Sequence, residues 1–305
     1  MRLPWRKPAL AALLAAAPAP AFCAEEEEAA ADAPAQTVAA STAAAEPLWN
    51  AAASAGVSAR DDGPDGGWQS LSLTRGIGRG YVRAGVMRYH GTLLQADVAL
   101  PSDYLVGTLG AGGNFANWVV DGWVSYGWQD YGRISTSAGS RASTGATGSP
   151  YFAAGGDLGR VLPLAQDLFL TPTVAGSFAN GRLLRPAPTG SGLRDLETRE
   201  PTWSANAAIR VDHAFGPRDV HYVGLSVSRN WTSNGVSALR RRAGTDPAQP
   251  VLLDSKHYAD GWTEAGATTS MRLGATLTLD LFATRSFGVM AGNITAAGAS
   301  LRRSF

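Results

Sequence analysis

From Gly66 onward, apolar and polar side chains alternate along the chain with a period of two residues. In the clearest stretch, Trp118 to Tyr131, alternate positions hold Trp, Val, Gly, Val, Tyr and Trp, and the positions between them include Asp, Ser and Gln. Trp203 to Phe215 and Ala275 to Ala283 repeat the pattern. This period is typical of β-strands that have one face against an apolar medium and one against water. The pattern therefore predicts an all-β protein.

The length of the strands and the placement of aromatic residues favour a membrane barrel over a soluble sandwich. The alternating stretches run for about 10 to 14 residues, which suits a tilted membrane-spanning strand better than the shorter strands of soluble sheets. Aromatic residues cluster near the predicted strand ends, where interfacial girdles lie. They are Tyr104, Trp118, Trp128, Tyr131, Tyr151, Trp203, Phe215, Trp231, Trp262 and Phe305.

The connections alternate between short and long from about residue 113. The short turns are Gly113 to Asn117, Leu162 to Gln166, Gly216 to Asp219 and Arg272 to Gly274. The long polar loops are Gly132 to Ser149, Asn180 to Pro201 and Thr232 to Ala259. Short periplasmic turns with longer external loops are typical of outer-membrane barrels.

The alternation divides residues 66–305 into twelve strands, which predicts a transmembrane antiparallel β-barrel. Their predicted bounds are 67–76, 80–90, 92–100, 104–113, 117–131, 150–161, 167–179, 202–215, 219–231, 260–271, 275–285 and 294–305. An even number places both barrel ends on one side of the membrane. Residues 77–103 can also be divided differently, which leaves ten or fourteen strands open.

The residues before the barrel divide into three segments. Residues 1–23 combine basic residues with the short apolar stretch Ala9 to Ala17 and small residues, which predicts a cleaved secretory signal peptide. Residues 24–47 are a low-complexity linker rich in Ala and Glu. Residues 48–65 follow Pro47 and are alanine-rich, which predicts a short helix.

The composition excludes several classes of protein. Cys23 is the single cysteine, which rules out a disulfide scaffold and a multi-cysteine metal site. The formal net charge is +1, so binding to nucleic acid has no electrostatic support. The four histidines show no metal-ligand spacing, and we expect no cofactor.

Four segments carry a family resemblance, three of them within the barrel: residues 117–127 (NWVVDGWVSYG), 170–172 (LTP) and 262–266 (WTEAG). These three are similar to strands of the translocator domain of autotransporters, the type V secretion proteins. The end of the chain, with Phe305 last and Leu301 at an alternate position before it, resembles the strand that the barrel-assembly machinery recognises. The resemblance extends over residues 67–305.

The resemblance implies an integral outer-membrane protein that is not an enzyme. It would act as a secretion or passage pore or as a surface structural protein, with the helix of 48–65 in its lumen. Its partners would be outer-membrane lipid, lipopolysaccharide and the barrel-assembly machinery. About 40 residues between the signal peptide and the barrel would be a vestigial passenger.

Two other functions remain open on the sequence. An outer-membrane hydrolase could use the loop in which Asp254, His257 and Asp260 recur beside Ser255, although polar residues that solvate an external loop explain the pattern better. A porin for small solutes or polysaccharide is the second alternative.

Two further groups of charged residues have candidate roles. Six should face the lumen, where they either line a channel or pair and close it: Asp121, Arg210, Asp212, Glu264, Asp280 and Arg302. Arg240, Arg241 and Arg242 lie in an external loop and could bind lipopolysaccharide phosphates, or form a solvated charge run.

Overall fold

The computed structural model describes residues 12–14, 36–38 and 49–305, apart from 62, 96–97, 137–138, 188–192, 217–219 and 247–248. For 12–14, 36–38, 93–95, 98, 240–246 and 249–254 it describes the backbone alone. The predicted signal peptide and linker thus lie outside the described residues, except that Ala12–Leu14 and Gln36–Val38 form a short antiparallel pair.

Twelve long strands form one closed antiparallel sheet. They are β1 (Trp49–Arg60), β2 (Gly66–Ile77), β3 (Gly80–Gln95), β4 (Val98–Phe115), β5 (Trp118–Tyr131), β6 (Gly148–Arg160), β7 (Leu168–Arg185), β8 (Leu196–Phe215), β9 (His221–Asp246), β10 (Gln249–Arg272), β11 (Leu277–Phe287) and β12 (Ile294–Ser304). Each strand pairs with the next, and β12 pairs with β1 to close the ring. The predicted twelve-strand barrel is confirmed.

Shorter strands accompany the barrel near two of its connections. Ile134–Thr136 and Gly139–Arg141 form a hairpin beyond β5, and Leu162–Pro163 pairs with the start of β7. Among the described residues, no helix is long and apolar enough to cross a membrane.

Side chains alternate between the two faces of the wall as the sequence pattern predicts. On β5, Val124 and Tyr126 are exposed on the outer face, whereas Asp121, Ser125 and Gln129 are buried on the inner face. Because a strand turns alternate side chains to opposite faces, this strand presents apolar side chains outward and polar side chains inward.

Residues 49–60 form a strand of the barrel wall, so the prediction of a lumenal helix within 48–65 is wrong and the barrel begins at Trp49. Alanine favours helices in isolation, but here Ala53, Ala55 and Val57 face outward and polar or small residues face inward. Without this strand the backbone groups on the free edge of β12 would have no partners in the membrane.

The count of twelve is right, but two predicted strands have the wrong bounds. Residues 92–95 continue β3, and 98–115 form the single strand β4, where we expected strands at 92–100 and 104–113. The twelfth strand is β1, which the sequence pattern did not predict. Four of the predicted girdle aromatics also face inward and are buried: Tyr104, Tyr131, Tyr151 and Trp262.

Two of the predicted long loops consist largely of strand. β7 and β8 stay paired out to Arg185 and Leu196, and β9 and β10 out to Asp246 and Gln249. Beyond the membrane the outer face no longer needs apolar residues, so the alternation that marks strands in the sequence fades while backbone pairing continues.

Both ends of the barrel lie at the same end as the short turns. Trp49 and Phe305 exchange backbone hydrogen bonds there, with N to O distances of 3.1 and 2.9 Å. The turn at Ala116–Asn117, in which both residues have positive φ, lies at this end, as do the β6–β7, β8–β9 and β10–β11 turns. We call this the short-turn end and the opposite one the long-loop end.

Small residues allow two aromatic rings to cover the seam between β1 and β12 from inside. Gly56 and Gly298 pair across the seam. A Cβ at Gly56 would lie 2.6 Å from Nε1 of Trp68, and one at Gly298 would lie 2.5 Å from Phe282. The two rings stack with centroids 6.1 Å apart, so the glycines provide the space that the rings occupy.

Replacing Gly56 by Val should weaken closure of the barrel. The added side chain would displace the Trp68 ring, and overpacking of this kind costs about 1–3 kcal/mol. Ala55→Val is the control, because Ala55 is exposed on the outer face. Heat-modifiable migration in gels and the urea midpoint of the refolded barrel measure the effect. Equal behaviour of the two variants would contradict this account of the seam.

Candidate functional site

The inner surface of the barrel holds all six of the charged residues that we assigned to the lumen. Asp121, Arg210, Asp212, Glu264, Asp280 and Arg302 each lie at an inward position of their strand, between neighbours that face outward or are more exposed. Five of the six are members of ion pairs. Ion pairs therefore lie on the inner surface of the barrel.

Asp121 of β5 is bound by two side chains of β3. Nη2 of Arg83 lies 2.7 Å from Oδ1 of Asp121, and the carboxylate side chain is fully buried. The Tyr81 hydroxyl donates to the other carboxylate oxygen. Tyr81 and Arg83 were not among the predicted site residues, although their alternation with the outward Val82 is a signal that marks them as inward.

Four of the other predicted charges form two ion pairs, one within a strand and one along a hairpin. Arg210 and Asp212 are two residues apart on β8, with N and O atoms 2.7 Å apart, and Arg210 also donates to the Thr268 hydroxyl at 3.0 Å. Arg302 of β12 lies 3.3 Å from Asp280 of β11. Because Asp212 and Asp280 each have a cationic partner, these charges compensate one another inside the barrel.

Aromatic side chains fill another part of the interior. The cluster combines residues from β2 to β7 and is packed against Met87 and Phe282: Trp68, Tyr89, Tyr104, Val106, Trp123, Tyr151, Ala153 and Ala179. A twelve-strand barrel is narrow compared with the 16 to 18 strands of porins that leave an aqueous channel. Large inward rings therefore occupy much of its cross-section.

A buried carboxylate organises the interior at the long-loop end. Glu200 of β8 accepts hydrogen bonds from the hydroxyls of Ser255 at 2.6 Å and Ser237 at 2.9 Å. Its oxygens also lie 3.5 Å from Arg185 and 2.8 Å from Nε2 of His257. The Glu200 side chain thus ties β7, β9 and β10 to β8.

The Glu200 cluster differs from a hydrolase triad in the order of its groups. A triad places the imidazole between the nucleophile and the acid, whereas here the carboxylate lies between Ser255 and His257. Asp260 does not approach His257 through its oxygens, which accept from the amides of Gly261 and Met290. The sequence spacing of Asp254, His257 and Asp260 could not reveal Glu200, because strand pairing brings it close from 57 residues away.

Two further predictions can be placed only in part. Arg240, Arg241 and Arg242 lie on β9, opposite Asp254, Leu253 and Leu252 of β10, and the side chains of all six are outside the described residues. Within the described part of the chain, no group of three or more His, Cys, Asp or Glu side chains is arranged to hold a metal ion.

Comparison with known proteins identifies the family of this barrel. The family model of the autotransporter β-domain matches residues 65–284. The chain belongs to the autotransporter β-domain family. Such β-domains are translocator barrels of the outer membrane. The match confirms the prediction of an outer-membrane barrel of translocator type.

Solved structures agree with the family at the level of the fold. The β-domain of the Bordetella autotransporter BrkA is 16% identical, with a TM-score of 0.56 over 85% of this chain and 100% of that one. The translocator domain of NalP from Neisseria meningitidis is 13% identical, with a TM-score of 0.59 over 84% and 87% of the two chains. No curated protein matches the chain.

A second carboxylate fastens two connections of the autotransporter β-domain at the long-loop end. Both Nη atoms of Arg141 donate to Asp195, at 2.6 and 2.7 Å, and the Asp195 side chain is fully buried. The amides of Thr144 and Ala187 also donate to it, each at 2.7 Å. Asp195 therefore joins the β5–β6 connection to the β7–β8 connection.

Hydrogen bonding holds the pKa of Asp195 well below its ordinary value. The Arg141 guanidinium is the largest cause, burial acts in the opposite direction, and the amides of Thr144 and Ala187 lower the pKa further. The folded-state pKa lies below the unfolded value of about 3.9. The contribution of the Asp195 carboxylate to the free energy of unfolding is therefore complete at any pH above that unfolded value. It is lost only as the pH falls through the lower folded-state pKa.

Asp195→Asn should release both connections at neutral pH, because the amide cannot accept the bidentate hydrogen bonds of Arg141. Hydrogen bonds to charged groups contribute about 1.5–3 kcal/mol, so amide protection in 139–147, at 187 and in 193–195 should fall about tenfold or more. Hydrogen exchange measured by mass spectrometry tests this, with the β10–β11 turn as internal control. Wild-type protection that is lost between pH 7 and pH 5 would contradict the low pKa.

Proposed function

We propose that this β-domain is a passage pore for the segment before β1, and that the side chains of its lumen leave no continuous aqueous path for solutes. The observation that carries the proposal is the position of Trp49, which bonds to Phe305 at the short-turn end. The chain before Trp49 therefore reaches the barrel at that end. We place this end in the periplasm, as the short turns favour.

The contents of the lumen support closure rather than free permeation. The inward charges of β3, β5, β8, β11 and β12 are paired, and aromatic rings cover the seam from inside. An open porin for solutes or polysaccharide would need a continuous aqueous path past these groups. We therefore favour the translocator over the porin.

Export and assembly complete the proposed function. The basic and apolar pattern of residues 1–23 favours removal of a signal peptide during export. Phe305 has an exposed side chain and contributes little to the packing of the barrel. We propose that Phe305 and Leu301 are recognised by the barrel-assembly machinery, and that outer-membrane lipid and lipopolysaccharide surround the folded barrel, with Arg240, Arg241 and Arg242 as contacts.

We further propose that the domain has no hydrolytic site. The Ser237 and Ser255 hydroxyls both donate to Glu200, and His257 approaches the same carboxylate. A serine nucleophile needs a base that receives its proton and a second group that orients the base. The arrangement around Glu200 instead suits a structural tie between strands.

The segment before β1 should be exposed on the cell surface if it passes through the barrel. In a Cys23→Ser background, Ala30→Cys lies 19 residues before Trp49, a reach of about 60 Å when extended. It should react with a membrane-impermeant maleimide on intact cells, as Ala142→Cys at the long-loop end should. Ala275→Cys, in the β10–β11 turn, should react only after permeabilisation. Labelling of position 30 only after permeabilisation would contradict passage, and labelling of position 275 on intact cells would contradict the orientation.

The resting lumen should conduct poorly in planar bilayers. Trp68→Ala combined with Trp123→Ala removes two inward rings, and we expect conductance to rise several-fold because the vacated space fills with water. Trp203→Ala is the control, since Trp203 is exposed on the outer face. A wild-type conductance equal to that of the double variant would argue against closure by side chains.

A further inference from the structure

Near a pair of interfacial tryptophans, the outer face of β8, β9 and β10 carries cations that have no carboxylate partner among the described side chains. Trp203 and Trp231 are exposed on this face. Arg229 lies two residues from Trp231 towards the short-turn end, at an exposed outward position that follows Val227. Tryptophans of this kind mark the membrane interface, so Arg229 projects from the upper part of the lipid-facing wall.

The Arg229 guanidinium bends toward the interface. Its Nη2 atom lies 3.2 Å from the position that a Cβ at Gly261 would take, beside the Trp231 ring. Gly261 and Trp231 are paired across β9 and β10. The absence of a side chain at Gly261 therefore leaves room for the guanidinium at the level of Trp231.

Arg229 has no carboxylate partner among the residues whose side chains the structure describes; its one hydrogen bond goes to the Thr263 hydroxyl at 3.4 Å. The carboxylate of Asp260, three residues from Thr263 on β10, accepts from two backbone amides. Glu197, two residues from Arg199 on β8, pairs with Arg182. A cation on the lipid face of a barrel is costly away from the interface. An external anion at the interface would offset that cost.

Two further cations lie on the same outer face, nearer the long-loop end. Arg199 is exposed four residues beyond Trp203, and Lys256 is exposed five residues beyond Gly261, over the Tyr258 ring at 4.6 Å. At about 3.3 Å per residue and a tilt of about 40°, both lie about 10–13 Å further from the membrane than the tryptophans. Within the described side chains, neither has an ion pair.

We propose that Arg229, Arg199 and Lys256 bind the phosphates of a lipopolysaccharide molecule against β8–β10. Guanidinium and ammonium groups are the ordinary protein ligands of phosphate. A glycerophospholipid presents its phosphate at one level only, whereas this site offers cations at two levels. The spacing therefore fits a glycolipid with anionic groups both at the membrane surface and in its sugar core. The proposal rests on the proposed orientation, with the long-loop end outside.

Binding of lipopolysaccharide to the refolded full barrel in detergent tests the proposal. Wild type should bind lipopolysaccharide at least about tenfold more tightly than dephosphorylated lipopolysaccharide or phosphatidylglycerol. Arg229→Gln should lose about tenfold in affinity, Arg229→Lys should retain most of it, and the Arg199→Gln, Lys256→Gln double variant should also lose affinity. Arg75→Gln is the matched control, because Arg75 is an exposed outward arginine stacked on Trp49 at the short-turn end.

Each alternative result has a defined meaning. Equal binding of dephosphorylated lipopolysaccharide, equal binding of phosphatidylglycerol, or an equal loss in Arg75→Gln would overturn the site. Arg199 and Lys256 lie beyond the interface, so their variants test the site even if Arg229→Gln inserts poorly. Surface labelling at position 30 is independent of these variants, and a failure of passage is therefore distinguishable from a failure of lipopolysaccharide binding.

Discussion

Closure of the sheet is the constraint on which the rest of this barrel depends. In the hydrocarbon core every backbone amide and carbonyl must find its partner within the protein, so a sheet with a free edge cannot span the membrane. Here β1 and β12 meet that requirement through pairs that run from Asn50 and Ser304 to Arg60 and Ile294. The same pairing fixes both ends of the barrel at the short-turn end, where Trp49 and Phe305 bond.

The residue composition of β1 and β12, the two seam strands, is suited to closing the sheet. β1 is built mainly of Ala, Ser and Gly, and its outer face offers little apolar surface to lipid. Its stability comes instead from backbone pairing on both edges, from a Ser54 to Ser300 hydrogen bond of 2.9 Å, and from the Arg285–Asp61 ion pair of 2.6 Å at the long-loop end. The small inward residues Gly56 and Gly298 then let larger rings from β2 and β11 cover the seam.

The sequence reveals the parts of the fold in which the outer and inner faces differ most in polarity. β5 was predicted almost to the residue, because Val124 and Tyr126 face lipid while Asp121 and Ser125 face inward. β1 was mistaken for a helix because alanine on its outer face hides the period of two, and the family model, which matches residues 65–284, likewise leaves out both seam strands. The inward positions of the six charged residues followed from the same period. Their partners Tyr81 and Arg83, and the whole Glu200 cluster, depend on strand register, which a single sequence does not contain.

The strands of the barrel wall differ markedly in length, and the short and the long strands have different roles. The four strands around the seam, β11, β12, β1 and β2, have 11 or 12 residues each, about what is needed to cross the apolar band at a tilt of about 40°. Next to them in the ring, β10 pairs with β11 and has 24 residues, and its other neighbour β9 has 26. Strand beyond the membrane is not needed for closure, and its backbone bonds could be replaced by bonds to water. The extended side instead holds the buried Glu200 on its inner face and exposed cations on its outer face. The short strands therefore close the barrel at the seam, whereas the buried carboxylate of Glu200 and the exposed cations lie on the long strands.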